Sequence, residues 1–398
     1  MKYSNRHILL ALNDNIFTKD EMKEQYKFSD LPILKHMTDS LYTSEMEYNK
    51  LSNKFTLDRN HALDLPTYLP TSIQEVINDM KIVKYNTRFF IGSRIFDISL
   101  HMDATKKHMH HDIDEHFKKI YMWLCVASKY ASPQCSKYVK INLYLTHHKK
   151  KLPSPYSVID REHANTAFTT SCKTETEIDI FREEEWFKTL IHETFHNLGM
   201  DFSANGSQHT NELLYRYIPI QVDFRLYEAY TECWAEIIHS LFVAFFHLKK
   251  QGSASMYSTF NTVLNNERRF AVFQCEKVLN HYNMKLSDLF KQTTLSTVRR
   301  NNYKENTNVL AYYVFKMIFM YNAKDFILWT SKNNRTSINF NNKTDPKKEA
   351  RLVNFIKKHI TDTTLSKMLD KSNKYLKENQ NKKNVTTQTL RMTVYEIV

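Results

Sequence analysis

Glycine is scarce: the 398 residues contain four, Gly92, Gly199, Gly206 and Gly252. Single scattered glycines cannot cradle phosphates, which excludes a P-loop or a dinucleotide fingerprint. The same scarcity excludes a collagen-like or flexible-linker protein. Cysteine is sparse too. The five, Cys125, Cys135, Cys172, Cys233 and Cys275, are odd in number, widely spaced and form no Cys-x-x-Cys pair. That pattern predicts reduced thiols rather than a disulfide framework or a cysteine zinc site. Long apolar runs are missing: two histidines interrupt the most apolar stretch, Ile237 to Leu248, and a membrane span needs roughly 20 apolar residues. Only five apolar residues, Ile8 to Leu12, follow the N-terminal Met1 to His7, fewer than the about 7–15 of a secretory core. The expectation is a protein of a cytosol-like compartment with no membrane partner. Neither a GxSxG elbow nor a papain-type cysteine context occurs.

Aromatic residues, by contrast, are plentiful, with 25 Phe and 23 Tyr, and 42% of the chain is hydrophobic. A disordered chain lacks such core material. The formal net charge is +13. A basic balance is compatible with nucleic acid as a partner, but a Lys- and Asn-rich, Gly-poor composition also follows from an AT-rich genome, so nucleic-acid binding stays a lesser alternative.

Pattern divides the chain into four parts. Residues 1–84 form an accessory region that ends in a helix from about Ser72 to Lys81. Residues 85–209 read as strand pair, helix, strand, strand, strand, helix. The strand pair spans Arg88 to Ile98 around Gly92, and residues 112–130 carry helical periodicity. Tyr138 to Leu145, Thr166 to Thr170 and Glu177 to Arg182 follow as strands, and a strong helix runs from about Glu184 to Leu198. Residues 210–370 are mostly helical in pattern. Residues 371–398 form a basic polar tail: Lys371 to Asn384 reads as a solvated linker, and Leu390 to Val398 turns apolar and docks back on the body.

The chemistry-bearing segment is His192-Glu193-Thr194-Phe195-His196. Two histidines four apart on a helix stack on one face, one turn above the other. Such a pair suits one Zn²⁺. The Glu after the first His is then the general base of an HExxH metalloprotease. Phe187, Leu190, Ile191, Phe195 and Leu198 keep a helical period around the motif, and Gly199 stands where a left-handed cap belongs. A zinc site needs a third protein ligand. Glu228, Glu232 and Glu236 stack at intervals of four on an amphipathic helical segment, 224–247. Aligned carboxylates repel one another, and a metal with its histidines offsets that cost.

These residues resemble two branches of the zincin metallopeptidases. The run from His192 to Asp201 is similar to the HExxHNLGM helix-turn of adamalysin-type metzincins, but the third His of that family is replaced here by Phe202. Thr231-Glu232-Cys233-Trp234-Ala235-Glu236 resembles the gluzincin pattern NEGLAE. That resemblance implies Glu232 as third ligand and Glu236 as the acid that orients a histidine; a shift of one turn gives Glu228 as ligand and Glu232 as orienting acid. It also implies an α+β fold, a zincin-like domain with a small mixed β-sheet and an active-site helix, followed by a mainly helical C-terminal lobe. An edge strand that pairs with substrate is implied, for which Asn165, Ala167 and Phe168 are candidates, and an oxyanion-stabilising group, for which Tyr312 or Tyr313 stands in the right lobe. The reading is a Zn²⁺-dependent peptidase acting on a peptide or protein substrate, with Glu193 as base. The composition is similar to that of zincin-like proteins of large DNA viruses, which implies host cytoplasm or virion. Two alternatives are a catalytically silent zincin-fold scaffold and a basic nucleic-acid-binding protein with a structural zinc. A crowd of histidines, His101, His108, His110, His111 and His116, reads as a polar loop entering a helix rather than a second metal site.

Overall fold

The computed structural model describes residues 3–18, 20–58, 65–105, 112–155, 157–251, 255–341, 345–382 and 384–397. The protein is a mixed α+β fold, 56% helical, with one six-stranded open sheet. The strands are β1 (Thr56–Asp58), β2 (Ile82–Ile91), β3 (Arg94–Asp103), β4 (Tyr138–Tyr144), β5 (Ala167–Thr169) and β6 (Glu175–Ile180), in the order β1-β2-β3-β4-β6-β5.

Local chemistry explains the order. β2 and β3 form an antiparallel hairpin with Ile91 opposite Arg94, and Gly92 takes the positive φ of 58° that so short a loop demands. β3 and β4 are parallel, so a crossover must join them. The helix Ile113–Tyr130 supplies it, burying Ile113, Phe117, Ile120, Tyr121 and Leu124. β4 and β6 are also parallel, and β5 folds back antiparallel on β6 as the edge of the sheet.

β6 leads into the motif helix, Trp186–Asn197. All twelve of its residues are buried, so it lies inside the molecule rather than on its surface. Phe187, Leu190, Ile191 and Phe195 pack into the main core, each such side chain contributing about 1.5–3 kcal/mol by burial. Gly199, at φ 64°, ends the helix, and Met200 N–H closes back on Phe195 O. The carboxylate helix, Leu226–Gln251, packs against it. Arg225, held at φ 42°, turns the chain into that helix. The core cluster that contains both helices also takes in Leu34 and Leu41 near the N-terminus and Phe319, Ile356 and Leu369 far downstream.

Two expectations are corrected here. Cys135 and Cys172 are joined in a disulfide, and only Cys125, Cys233 and Cys275 are free, all buried. The partners are 37 residues apart, and the sheet brings their Cα atoms to 4.7 Å, a proximity that spacing cannot reveal. Residues 371–378 belong to a helix, Thr363–Glu378, and are not a solvated linker. Its buried residues Leu365, Met368, Leu369, Ser372 and Leu376 straddle position 370, which conceals the period when the tail is read alone. Leu390, Met392, Val394 and Tyr395 are buried against the body. No helix among the described residues is long and apolar enough to cross a membrane.

Candidate metal centre

The motif helix and the carboxylate helix run antiparallel, and their facing residues meet at one point. His192 Nε2 lies 3.1 Å from His196 Nε2, and both lie 3.2 Å from Glu228 Oε2. Three ligand-type atoms from two helices thus form a near-equilateral triangle. Tetrahedral zinc with bonds of about 2.0–2.1 Å requires ligand atoms roughly 3.3 Å apart, so the donor set fits that ion.

The protons support the same assignment. His196 Nδ1 is pressed against Asp201 Oδ2, whose other oxygen accepts from the Ser203 N–H and hydroxyl. His192 Nδ1 lies 2.7 Å from Glu232 Oε2, although the carboxylate approaches obliquely to the N–H. A carboxylate behind each ring holds a proton on Nδ1 and turns the Nε2 lone pair inward. Lone pairs gathered beside Glu228 need a positive charge between them. For a metal-free site that charge must be protonic. Burial opposes charging His196, yet Glu228 and Asp201 outweigh it and hold its pKa well above the ordinary imidazole value. Burial would raise the Glu228 carboxyl, but His196 and His192 draw it far below the usual range.

Glu228 is therefore the carboxylate at the triangle, and Glu232, the ligand that the gluzincin register implies, is not. Glu232 faces the wrong nitrogen of His192, and its Oε1 lies 2.5 Å from Lys188 Nζ. Glu236, one turn further, pairs with Lys316 at 2.9 Å and orients no histidine. Three glutamates at one spacing leave the register open; in the structure Glu232 pairs with Lys188, one turn before His192, and Glu228 meets both rings. Asp201 comes to lie behind His196 through the turn at Gly199, an approach that the sequence alone does not reveal.

Glu193 is 8% exposed and lines the cleft beside His192 and Glu228. Burial pushes its carboxyl above the usual range despite both histidines. Tyr312 and Tyr313 lie in a π-helical stretch, Leu310–Phe315, where consecutive side chains point in different directions as in any helix. The Tyr312 hydroxyl donates to Glu228 Oε2 at 3.3 Å, and its ring is centred 6.0 Å from the His192 ring. Tyr313 points away, donating to Leu390 O at 2.6 Å, which removes it from the site.

The cleft over the triangle, about 710 Å³, is walled by β5. Phe181 N–H donates to Thr166 O, and Thr170 N–H to Glu177 O. In an antiparallel pair these alternate, so Phe168 also turns its peptide groups to β6, while Ala167 and Thr169 present theirs to the open edge. Of the three expected contact residues, only Ala167 offers free backbone. The Phe168 ring packs on Tyr68 and Phe181, and Asn165 is engaged by Arg182 and Thr307. Thr169 was missed because a three-residue strand is too short to reveal its pairing phase.

A second cavity, about 1130 Å³, adjoins the first at Ser171, His196 and Ser203. Both disulfide cysteines line it, and Cys172 N–H donates to His196 O at 3.3 Å. Of the histidine crowd, His108, His110 and His111 lie outside the described residues; His101 stacks on Tyr144, and His116 on Trp186. No model of a known protein family, no curated protein and no solved structure matches this chain.

Proposed function

We propose that the protein is a zinc-dependent peptide hydrolase, and that His192, His196 and Glu228 hold the ion. The observation that carries this reading is the triangle of 3.1–3.2 Å between three donor atoms, with Glu193 in the same cleft. Zinc bound there would acidify a water molecule and polarise a carbonyl. Glu193 takes a proton as that carbonyl is attacked and returns it to the departing amine; its raised pKa suits both directions. The Tyr312 hydroxyl, released from Glu228, donates to the oxyanion. Ala167 and Thr169 bind the substrate backbone as an added strand. The site lies where two cavities meet, so chain can extend to both sides of the scissile bond, which favours an endopeptidase.

The test is zinc content together with peptide-library cleavage for the parent and for Glu193→Gln. The expected result is one zinc in each and cleavage by the parent alone. Zinc without cleavage by the parent would instead favour the silent scaffold.

A further inference from the structure

More charge is buried behind the triangle than the proposed hydrolysis uses. Lys188, Lys150 and Lys316, each no more than 2% exposed, pair with Glu232, Glu185 and Glu236 at 2.5, 2.7 and 2.9 Å. Ion pairs withdrawn from water lose about as much hydration as they gain in attraction, so they stabilise a fold poorly. That leaves room for a reason other than stability.

Lys188 supplies one by its place in the helix pair. Lys188, His192 and His196 follow one another at intervals of four on the motif helix, and Glu232 and Glu228 face them in reverse order. Glu232 divides its oxygens: Oε1 goes to Lys188 Nζ and Oε2 to His192 Nδ1. Among the described residues, the two nearest buried lysines are committed elsewhere. Lys316 is committed to Glu236 and to Met392 O, and Lys150 to Glu185. Among the described residues Glu232 is the only oxygen partner of Lys188, whose remaining contact is Met392 Sδ at 3.9 Å.

The segment Leu390–Tyr395 closes this compartment. Its Met392 and Thr393 N–H groups both donate to Glu185 Oε1, at 2.8 and 2.6 Å. Its Val394 and Tyr395 N–H groups donate to Glu267, at 2.8 and 2.9 Å. With that segment seated, Lys188 is buried, and Glu232 is the carboxylate at hydrogen-bond distance from its ammonium.

We propose that Lys188 is a positioning residue for the metal centre: it fixes Glu232, and through Glu232 the ring of His192, so that Nε2 faces the ion. This rests on the metal-site reading above. A lone carboxylate left at Glu232 would lose the contact that sets its plane, and the oblique approach to His192 Nδ1 would go uncorrected.

The experiment measures zinc affinity by competition with a chromophoric chelator, alongside thermal unfolding and the ¹⁵N imidazole spectrum of His192. The variants are Lys188→Met, Glu232→Gln, the double variant, and Lys277→Met, which removes an equally buried lysine whose partners are Thr386 O and Thr389 O. Lys188→Met is expected to weaken zinc about 10–100-fold, the range of outer-shell changes, and to shift the His192 signals. The double variant is expected to bind no worse than Glu232→Gln alone, while Lys277→Met loses stability but keeps its zinc affinity. Should the methionine variant not fold, Lys188→Gln, which keeps an N–H toward Glu232, is measured in the same way with a smaller loss expected. Parent-like affinity in the Lys188 variants, or additive losses in the double variant, would overturn the proposal and leave the metal site standing. A parent chain that binds no zinc would overturn the site itself.

Discussion

Cys135 leaves no room for a side chain at Gly199: a Cβ built there would lie 2.6 Å from the Cys135 Sγ, and the backbone stands at φ 64°. The end of the motif helix, the Asp201 turn and the disulfide are thereby packed into one contact. Gly199→Ala should destabilise the protein by roughly 1–3 kcal/mol, the sum of a left-handed backbone penalty and a steric one. Gly92 is the control, with φ 58° and nothing within 4 Å of its Cβ position. Gly92→Ala should cost about 1 kcal/mol. Denaturant unfolding of both variants measures the difference, and equal losses would show that the Cys135 contact is unimportant.

The edge of the sheet yields a second prediction. Proline removes a backbone N–H, which an edge strand tolerates only on its outward side. Ala167→Pro should destabilise the fold less than Phe168→Pro while reducing peptide cleavage about two- to tenfold, the loss of one hydrogen bond to substrate. Phe168→Pro should destabilise the fold, because that N–H faces β6. The reverse pattern would place the substrate elsewhere.

How much of this could be read beforehand follows from the range of each interaction. The motif helix, the hairpin at Gly92 and the helix at 113–130 carry their periods in consecutive residues, and they appear where the pattern puts them. His192, Glu193 and His196 were legible because one helical turn fixes their relation. Glu228 against Glu232 was not, since both satisfy the same period and only the docking of a second helix separates them. The Cys135–Cys172 pair, Asp201 behind His196 and the outward phase of Ala167 and Thr169 all depend on tertiary approach. Residues 371–378 were misread because their polar composition masked apolar positions that continue from Leu365 and Met368.

Stability should depend on pH through Glu276, away from the cleft. Burial pushes its carboxyl up to about 8, with Asn373 its hydrogen-bond donor. The folded protein therefore keeps the proton that the unfolded chain releases near the ordinary value of 4.5. The neutral group contributes fully below that value, and its contribution falls as pH rises toward 8. Glu276→Gln, a neutral mimic, should match the parent near pH 4.5 and exceed it progressively above, by at most about 1.4 kcal/mol per unit. Melting temperatures of the two proteins across this range test it. A constant difference would mean that Glu276 is ionised in the folded state throughout.

The register of the two helices is the central claim, and zinc affinity reads it most directly. Glu228→Gln removes the carboxylate at the triangle, so its loss of affinity should exceed the about 10–100-fold of an outer-shell change. Glu232→Gln should stay within that range, and Glu193→Gln should bind zinc as the parent does while losing cleavage. If Glu232→Gln abolishes zinc binding and Glu228→Gln leaves it intact, the assignment of Glu228 to the ion is wrong.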